Sequence, residues 1–353
     1  SATTETYLFF NLLFIIIFVY SITFIASIYS LRIPIAYDEH FKLALLSIII
    51  FSAVNLLNIS WVMAIIFTCV SVAFSFFTIA FPSALISRAY SPLVPNVIIR
   101  QLYDARSLMA IWFSNTINAR YVQTILGILW IVLLPLAQSL VMAFALTQLL
   151  KVQSIGVPWV VFLLSGRIIF GIFQSVVQQS SAALISNNEL IKRVYFPREI
   201  IIILIVAEVL IDFLLQFVAL LVIGWLFHLP PNIYYILLPI PVLIMTLFST
   251  GVGLIVSWLS LIIRDFRPLL TILLQLAMYL TIFYAKRATG EKMEVMLVLN
   301  PLLSITEAFR DIILYAQVPN MGQLLVAFFI SLAILYPGYV LFKVNEDRFA
   351  DYS

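Results

Sequence analysis

The sequence predicts an all-α, polytopic membrane protein, because of its composition and the form of its apolar runs. Of the 353 residues, 64% are hydrophobic and 10% are charged, whereas about a quarter of a typical soluble domain is charged. Continuous apolar runs of roughly 20 residues recur along the chain, and a helix of that length crosses about 30 Å of hydrocarbon. Strands of a membrane barrel alternate apolar and polar residues instead, so we expect these runs to be helices.

The candidate membrane spans form two groups. Their ranges are 7–31, 41–57, 61–86, 122–149, 158–185, 200–227, 233–262, 268–285 and 322–342. The first three predict an extra N-terminal membrane region, residues 1–95, in which 41–86 is either two spans or one crossing with a re-entrant segment. The last six predict a six-span core, residues 96–353, with no loop long enough for a soluble catalytic domain. Gly251 and Gly253 predict a surface of close helix packing in this core.

The 87–121 stretch between the two groups is more polar and follows a helical period. Its apolar positions 98, 102, 105, 109 and 112 share one helical face, and polar positions 100, 104 and 107 lie on another. This pattern predicts an amphipathic helix in the membrane interface, to which we assign Arg100, Asp104, Arg106 and Trp112.

The basic residues of the core predict its orientation. If each of the last six spans crosses once, four basic clusters face one side, which the positive-inside tendency makes cytoplasmic. These clusters are Arg88 to Arg120, Lys192 to Arg198, Arg264 with Arg267, and Lys343 with Arg348. The segment KRATGEK at 286–292 falls on the opposite side, against the rule, although Glu291 and Glu294 lie near its charges.

The loop 186–199, SNNELIKRVYFPRE, is the most informative of these segments. It is basic, it ends with a proline and it joins two long apolar spans, so a cytoplasmic partner can bind it. An ordinary positive-inside loop explains the same charges. The residues taken alone favour that simpler interpretation.

Several function classes find no support in the residues. No GxxxxGK[ST] phosphate loop occurs, so the energy source is either a partner subunit that binds ATP or an ion gradient. The single cysteine, Cys69, and the two distant histidines, His40 and His228, offer neither a metal site nor an internal disulfide. The net charge of +3 gives no indication of a nucleic-acid partner.

Acidic residues occur inside one predicted span. Glu208, Asp212 and Gln216 are spaced four apart and share a helical face. They form either a proton or ion relay or a set of interhelical hydrogen bonds. Hydrogen bonding is favoured, because the one evident intramembrane cation, Arg167, lies near the opposite end of the preceding span.

Other polar and aromatic residues are candidates for the wall of a channel. Gln174 and Gln178 share a face that either lines an aqueous path or joins two helices. Aromatic faces suit sugar rings, although most aromatics in such a chain belong to the interfacial belt. The aromatic candidates are Trp130, Tyr279, Phe283 and Tyr284.

Several motifs cover most of residues 96–353. They are ARYVQTILGILWIVLLPL at 119–136, LISNNELIKRVYFPREI at 184–200, the acid Asp212, LIIRDFRPLL at 261–270, LNPLLSITEAFRDIIL at 299–314 and FKVNEDRFAD at 342–351. Through these motifs the core resembles the permease subunit of ABC-type polysaccharide exporters, which move lipid-linked O-antigen, capsule or teichoic-acid chains.

The resemblance implies a six-span type-2 exporter core in the bacterial cytoplasmic (inner) membrane. It implies a homodimer with two copies of a separate ATPase subunit, a lipid-linked polysaccharide as substrate, and surrounding membrane lipids. ATP and magnesium would be bound by that partner, so this chain would hold no cofactor and no catalytic residue.

The resemblance also implies roles for particular residues. The interface helix and the 187–198 loop would contact the ATPase, with Asn188, Glu189, Lys192, Arg193, Tyr195, Phe196, Pro197 and Arg198 forming a coupling loop. The first and fifth core spans would face the channel. Short helices in 286–315 would gate its outer mouth, with Asn300, Pro301, Glu307, Phe309 and Arg310 as gate residues.

The chain departs from the family pattern at two places. FYAKRATGEKMEV replaces a usual proline-rich segment, and residues 1–95 have no counterpart in the usual six-span subunit. Three alternatives stay open: an exporter of small lipids or drugs, a proton-coupled transporter, and a membrane enzyme acting on lipid-linked sugars. Such an enzyme would have to use Glu291, Glu294, Glu307 and Arg310.

Overall fold

The structure, a computed structural model, describes residues 109–114, 116, 127, 129–152, 156–193, 196–263, 265–283 and 300–346. The chain divides into two compact units, Ser1–Ser87 and Arg88–Ser353, and all the described residues belong to the second. The predicted N-terminal spans, the predicted boundary at residue 95 and most of the predicted interface helix lie outside the described residues. They stay predictions.

Every regular element within the described ranges is a helix, which confirms the all-α prediction. The α-helices are α1 (Leu129–Phe144), α2 (Trp159–Ser186), α3 (Asn188–Arg193), α4 (Glu199–Leu226), α5 (Pro239–Ile262), α6 (Phe266–Ile282), α7 (Pro301–Ile313) and α8 (Met321–Val344). A π-helical turn, Ala145–Leu149, extends α1, and a 3-10 turn, Ile233–Leu237, precedes α5. Within these ranges, five helical runs are long and apolar enough to cross a membrane, and α6, with 17 residues, is a shorter apolar helix.

Prolines and asparagines define where several helices begin. Pro239 and Pro301 occupy the first turns of α5 and α7, where a missing N–H leaves no hydrogen bond unmade. The Asn300 side chain accepts a hydrogen bond from the backbone N–H of Leu302 at 3.1 Å and so caps α7. The Asn320 side chain caps α8 in the same way through Gln323.

Helix α5 lies at the centre of the core and packs most extensively against α8 and α2. Glycines permit these close crossings, as the sequence predicts. A Cβ at Gly251 would lie 2.8 Å from the backbone of Leu335, and one at Gly253 would lie 2.8 Å from the Ser180 hydroxyl. A larger residue at Gly251 would push α5 and α8 apart, because backbone atoms cannot give way as side chains do.

Helices α1 and α6 both pack against α2 and leave much of their own surface exposed. Large apolar side chains cover that surface, among them Leu129, Leu133, Leu134, Val141 and Phe144 on α1, and Leu269, Ile272, Leu273, Leu276 and Leu280 on α6. A lipid or protein surface has to cover such faces, since water does not solvate them favourably.

The long helices alternate in direction, so the core has two ends. Side-chain contacts bring the start of α4 to the end of α8, and we call this the inner end, where sequence predicts the cytoplasm. At the opposite, outer end, the Asn232 amide before α5 donates to the Ile312 carbonyl of α7 at 3.0 Å. Helix α7 therefore belongs to the outer end and does not cross the core.

Candidate functional site

The segment between α2 and α4 forms a short helix and a turn at the inner end. Helix α3 carries Glu189 and Lys192 with exposed side chains. Phe196 is buried, and its ring contacts that of Trp112 edge to face, with centroids 5.9 Å apart. Trp112 belongs to the helical residues 109–114. The loop is therefore packed against a part of the predicted interface helix.

Directly after this turn, Glu199 begins α4 and is buried against the end of α8. Lys343 Nζ donates to both carboxylate oxygens of Glu199 at 3.1 Å, and it lies 2.8 Å from Oε2 of Glu346. The Tyr339 hydroxyl lies 3.4 Å from Glu199 Oε1, and the backbone N–H of Arg198 donates to Glu346 Oε1 at 3.2 Å. We call Glu199, Lys343, Glu346 and Tyr339 the inner network.

The inner network connects elements that are remote in sequence. Glu199 and Lys343 are 144 residues apart, and both are almost wholly buried as side chains, at 4% and 8% exposure. Removal of one partner from such a pair leaves a charge without compensation in a poorly solvated place. Displacement of the loop therefore has to move the start of α4 and the end of α8 together.

Helix α7 is buried along its whole length at the outer end, although its sequence is polar for a buried helix. Its largest fully buried side chain is that of Arg310, which has no exposed surface. Arg310 Nη1 lies 2.7 Å from Glu307 Oε1, and the guanidinium carbon lies 3.7 Å from the centre of the Phe162 ring. This arrangement combines an ion pair with a cation–π contact.

Arg310 also binds the ends of two other helices. Nη2 donates to the carbonyl of Ile282 in the last turn of α6 at 2.7 Å, and to that of Phe162 in α2 at 3.4 Å. Carbonyls in the last turn of a helix have no partner within the helix and carry its negative dipole end, so a cation there is favourable. Gly166 leaves room for the guanidinium, because a Cβ at this position would overlap Nη2.

A third polar cluster lies in the outer half of α2. Arg167 Nη1 donates to Gln174 Oε1 at 2.6 Å, one to two turns further along α2, and Nε donates to Gln138 Oε1 on α1 at 3.2 Å. The Tyr279 hydroxyl of α6 is near enough to interact electrostatically with the guanidinium. The Arg167 cluster, composed of Arg167, Gln138, Gln174 and Tyr279, thus draws on all three helices of the α1–α2–α6 face.

Comparisons with known proteins decide the family. Residues 106–314 match the model of the ABC-2 type transporter family, and this range is more than half of the chain. The chain belongs to the ABC-2 type transporter family. It is a multi-pass membrane protein, consistent with the five apolar spans.

Curated relatives of this ABC-2 transporter chain align over most of its length and almost all of their own. The O-antigen export system permease protein RfbA of Myxococcus xanthus is 24% identical over 257 residues, which are 72% of this chain and 98% of the relative. The RfbA protein of Klebsiella pneumoniae is 26% identical over 247 residues, 69% and 94% of the two chains. The polysialic acid transport protein KpsM of Escherichia coli is 26% identical over 240 residues, 67% and 92%.

The residues predicted for the coupling loop lie in several environments. Asn188, Pro197 and Arg198 are half-buried, whereas Phe196 is buried. Arg193 is the last residue of α3, and Tyr195 lies outside the described residues, as do Arg100, Asp104 and Arg106 of the interface helix. Their predicted contact with an ATPase stays a prediction.

The predicted gate residues and the α6 aromatics lie toward the outer end, whereas Trp130 lies at the start of α1 and Gln178 lies in the inner half of α2. Trp130 is 49% exposed on α1, and Tyr279 and Phe283 stack on α6 with centroids 6.2 Å apart. Gln178 is exposed on α2, while Tyr284 lies outside the described residues. The predicted gate residues Asn300, Pro301, Glu307, Phe309 and Arg310 all cap or belong to α7, and the last four are buried.

The intramembrane acids have different environments from each other. Glu208 is buried and Asp212 is half-buried on α4. Arg167, the one intramembrane cation evident in the sequence, contacts the two glutamines of its cluster. The pairing of Glu199 with Lys343 was not predicted from the sequence, where Lys343 was assigned only to a basic cluster. The available signal was an acid at the first position of a span, and the Lys343–Glu346 spacing of three at the end of another.

Proposed function

We propose that this chain is the membrane subunit of an ATP-driven exporter of lipid-linked polysaccharide. The observation that carries the proposal is the alignment of 67–72% of the chain with relatives named as O-antigen and polysialic acid export proteins, which it covers over 92–98% of their length. In this proposal a separate ATPase subunit supplies the energy, as membership of the ABC-2 type transporter family implies. The membrane is the bacterial cytoplasmic membrane.

The inner end supports a coupling role in this proposal. An ATPase that binds the exposed surface of α3 pulls on Arg198 and Glu199, which are held by Glu346 and Lys343. The movement then reaches α4 and α8 at once, and α8 passes it to α5 through the Gly251–Gly338 crossing. A buried ion pair suits this task, because its two partners separate only at a large free-energy cost.

The exposed apolar faces of α1 and α6 support a homodimer. In the proposal, two copies bring these faces toward a shared channel, and the aromatic residues Trp130, Tyr279 and Phe283 contribute to its wall. Aromatic rings stack on the apolar C–H faces of sugars without selecting one linkage, so a chain of sugars can slide past them. The α7 helix at the outer end then closes or opens the exit.

A pair of charge-reversal variants tests the coupling surface. Lys192 and Lys151 are both exposed lysines, at the inner and outer end respectively. Lys192→Glu is expected to weaken co-purification with the ATPase subunit by about 10-fold or more. The new carboxylate would repel the acidic ATPase surface that the lysine attracts. Lys151→Glu is expected to leave co-purification unchanged.

The measurement is the amount of ATPase retained per membrane subunit after detergent purification, with export of surface polysaccharide measured in the same cells. If both variants retained the same amount of ATPase, the coupling role of α3 would be contradicted. The exporter proposal would be overturned if the chain co-purified with none of the candidate ATPases expressed with it and its deletion left polysaccharide export intact. The enzyme and proton-coupled alternatives would then come first.

A further inference from the structure

Arg167 is a cation in a membrane-crossing helix, and its described partners are neutral. Its two hydrogen bonds go to glutamine oxygens, at 3.2 Å and 2.6 Å. Within the part of the chain that the structure describes, no carboxylate lies within salt-bridge distance of it. A cation within a membrane span is costly, and such residues commonly mark a path for substrate or ions.

Arg310 gives the contrast within the same molecule. It is fully buried, and Glu307 compensates its charge. Arg310 has neither exposed surface nor room for a ligand, because its guanidinium is packed against Gly166 and the ring of Phe162. Arg167 is half-buried, so its side chain remains accessible from the α1–α2–α6 face. The two arginines therefore have different roles.

The hydrogen bonds of Arg167 orient its guanidinium and leave some of its N–H donors available to a ligand. Nε and one N–H of Nη1 are directed to Gln138 and Gln174, while Nη2 makes no hydrogen bond to the described residues. A guanidinium held in this way presents a planar, charged edge, which matches the two oxygens of a phosphate or carboxylate. The Tyr279 hydroxyl, bonded weakly to Gln275 at 3.5 Å, adds a polar group that sugar hydroxyls can meet.

We propose that the Arg167 cluster is an anion-binding site in the translocation path, and that it receives a phosphate or carboxylate group of the exported molecule. The proposal rests on the proposed function, because it assigns the site to the substrate of that exporter. The anion has two possible sources. It belongs either to the phosphate that joins the glycan to its lipid or to acidic groups along the glycan itself.

Binding to matched pairs of probes tests the site. The complex of this chain with its ATPase, in lipid nanodiscs, is titrated with a polyprenyl pyrophosphate and with the polyprenyl alcohol of the same length. A second pair is an oligomer of polysialic acid and a neutral dextran oligomer of the same length. The wild type is expected to prefer at least one acidic probe over its neutral counterpart by about 10- to 100-fold, the range for a hydrogen-bonded charge.

Arg167→Gln is expected to abolish that preference and to leave the neutral probes unaffected. Gln148→Ala, which changes an exposed amide in the π-helical turn after α1, is expected to keep it. Preference for the pyrophosphate alone assigns the site to the lipid-linked end, and preference for the acidic oligomer alone assigns it to the sugars. Equal preference in the wild type and Arg167→Gln, or no preference in the wild type, overturns the proposal.

Arg167→Lys covers the case in which Arg167→Gln fails to assemble with the ATPase. It keeps the charge and removes the planar fork, so we expect it to assemble and to lose most of the preference. Full retention of the preference would contradict a guanidinium site. Complementation in cells without the chromosomal copy separates the two proposals. A wild type that fails to restore surface polysaccharide rejects the proposed function, whereas normal export and binding by Arg167→Gln reject the Arg167 site alone.

Discussion

At the outer end of the core, Arg310 and Glu307 form a buried ion pair within one helix, three residues apart. At the inner end, Lys343 and Glu199 form a buried ion pair between two helices that are 144 residues apart in sequence. Both pairs lie in poorly solvated places, and both lose charge compensation when one partner is removed. They differ in which elements the cation connects.

The outer cation connects helices through backbone carbonyls, whereas the inner cation connects them through side chains. Arg310 reaches α6 and α2 by donating to Ile282 and Phe162, and Glu307 only neutralises it from its own helix. Lys343 reaches α4 through the carboxylate of Glu199 itself. The outer pair therefore fixes the place of one buried helix, while the inner pair joins two membrane spans that have to move together.

The largest expected effect is that of Arg310→Met. The variant leaves Glu307 buried without a cation and removes the hydrogen bond to Ile282. We expect a loss of about 4–5 kcal/mol in the free energy of unfolding, the upper part of the range for a broken buried pair. The measurement is the unfolding midpoint of the purified protein in a denaturing-detergent titration.

The double variant Glu307→Gln/Arg310→Met tests what the outer cation holds. Because the carbonyl of Ile282 stays without its donor, the double variant should recover only part of the lost stability. Complete recovery would show that the carboxylate alone needs the cation. The contrast between the two ends would then disappear.

Lys343→Met is expected to have the next largest effect, about 3 kcal/mol, the lower end of the same range. The cost is lower because Tyr339 still approaches Glu199, and Glu346 is 18% exposed and partly solvated. If the inner network transmits movement, ATP hydrolysis by the complex should continue while polysaccharide export falls. The ratio of the two rates is the measurement.

Glu199→Gln/Lys343→Met is the matched control at the inner end. Here both charges of the Glu199–Lys343 pair are removed, while Glu346, which also loses Lys343, is partly solvated and still accepts from the backbone N–H of Arg198. No backbone carbonyl of another helix depends on Lys343 in the described contacts. Stability should therefore return almost completely, in contrast to the outer double variant. Export that stays low in this stable protein would support coupling through the pair. Full recovery of export would reduce the inner network to a structural role.

The fold was largely predictable because membrane spans are local features of sequence. The observed helices Trp159–Ser186 and Glu199–Leu226 begin and end within one residue of the predicted 158–185 and 200–227. Twenty apolar residues specify a crossing without reference to the rest of the chain. The polar loop 186–199 was equally recognisable, because it interrupts two such runs.

The polar contacts were predictable only where partners lie within a few residues. Glu307 and Arg310 lie three residues apart on a helix, a spacing that brings their side chains together, and the resemblance to polysaccharide exporters had already marked both as gate residues. Glu199 and Lys343 come together because α4 and α8 meet at one end, which no short pattern encodes. Arg167 was recognised as an intramembrane cation remote from the acids of α4, but its contact with Gln138 depends on the packing of α1 against α2.

Gly166→Ala is expected to have the smallest effect. It changes the position of the Arg310 guanidinium without changing its charge. The added Cβ would overlap Nη2 of Arg310 while leaving Glu307 and Ile282 unchanged. The end of a flexible side chain can shift, so we expect a loss of about 1–2 kcal/mol, in the lower part of the range for overpacking. If Arg310 positions α7, this variant should reduce export while the protein stays more stable than Arg310→Met. Arg310 keeps its ion pair with Glu307, but its displaced guanidinium shifts α7. A loss as large as that of Arg310→Met would instead mean that the guanidinium cannot shift at all. Gly322→Ala serves as the control, because a Cβ there meets only the Asn320 side chain, at 3.3 Å.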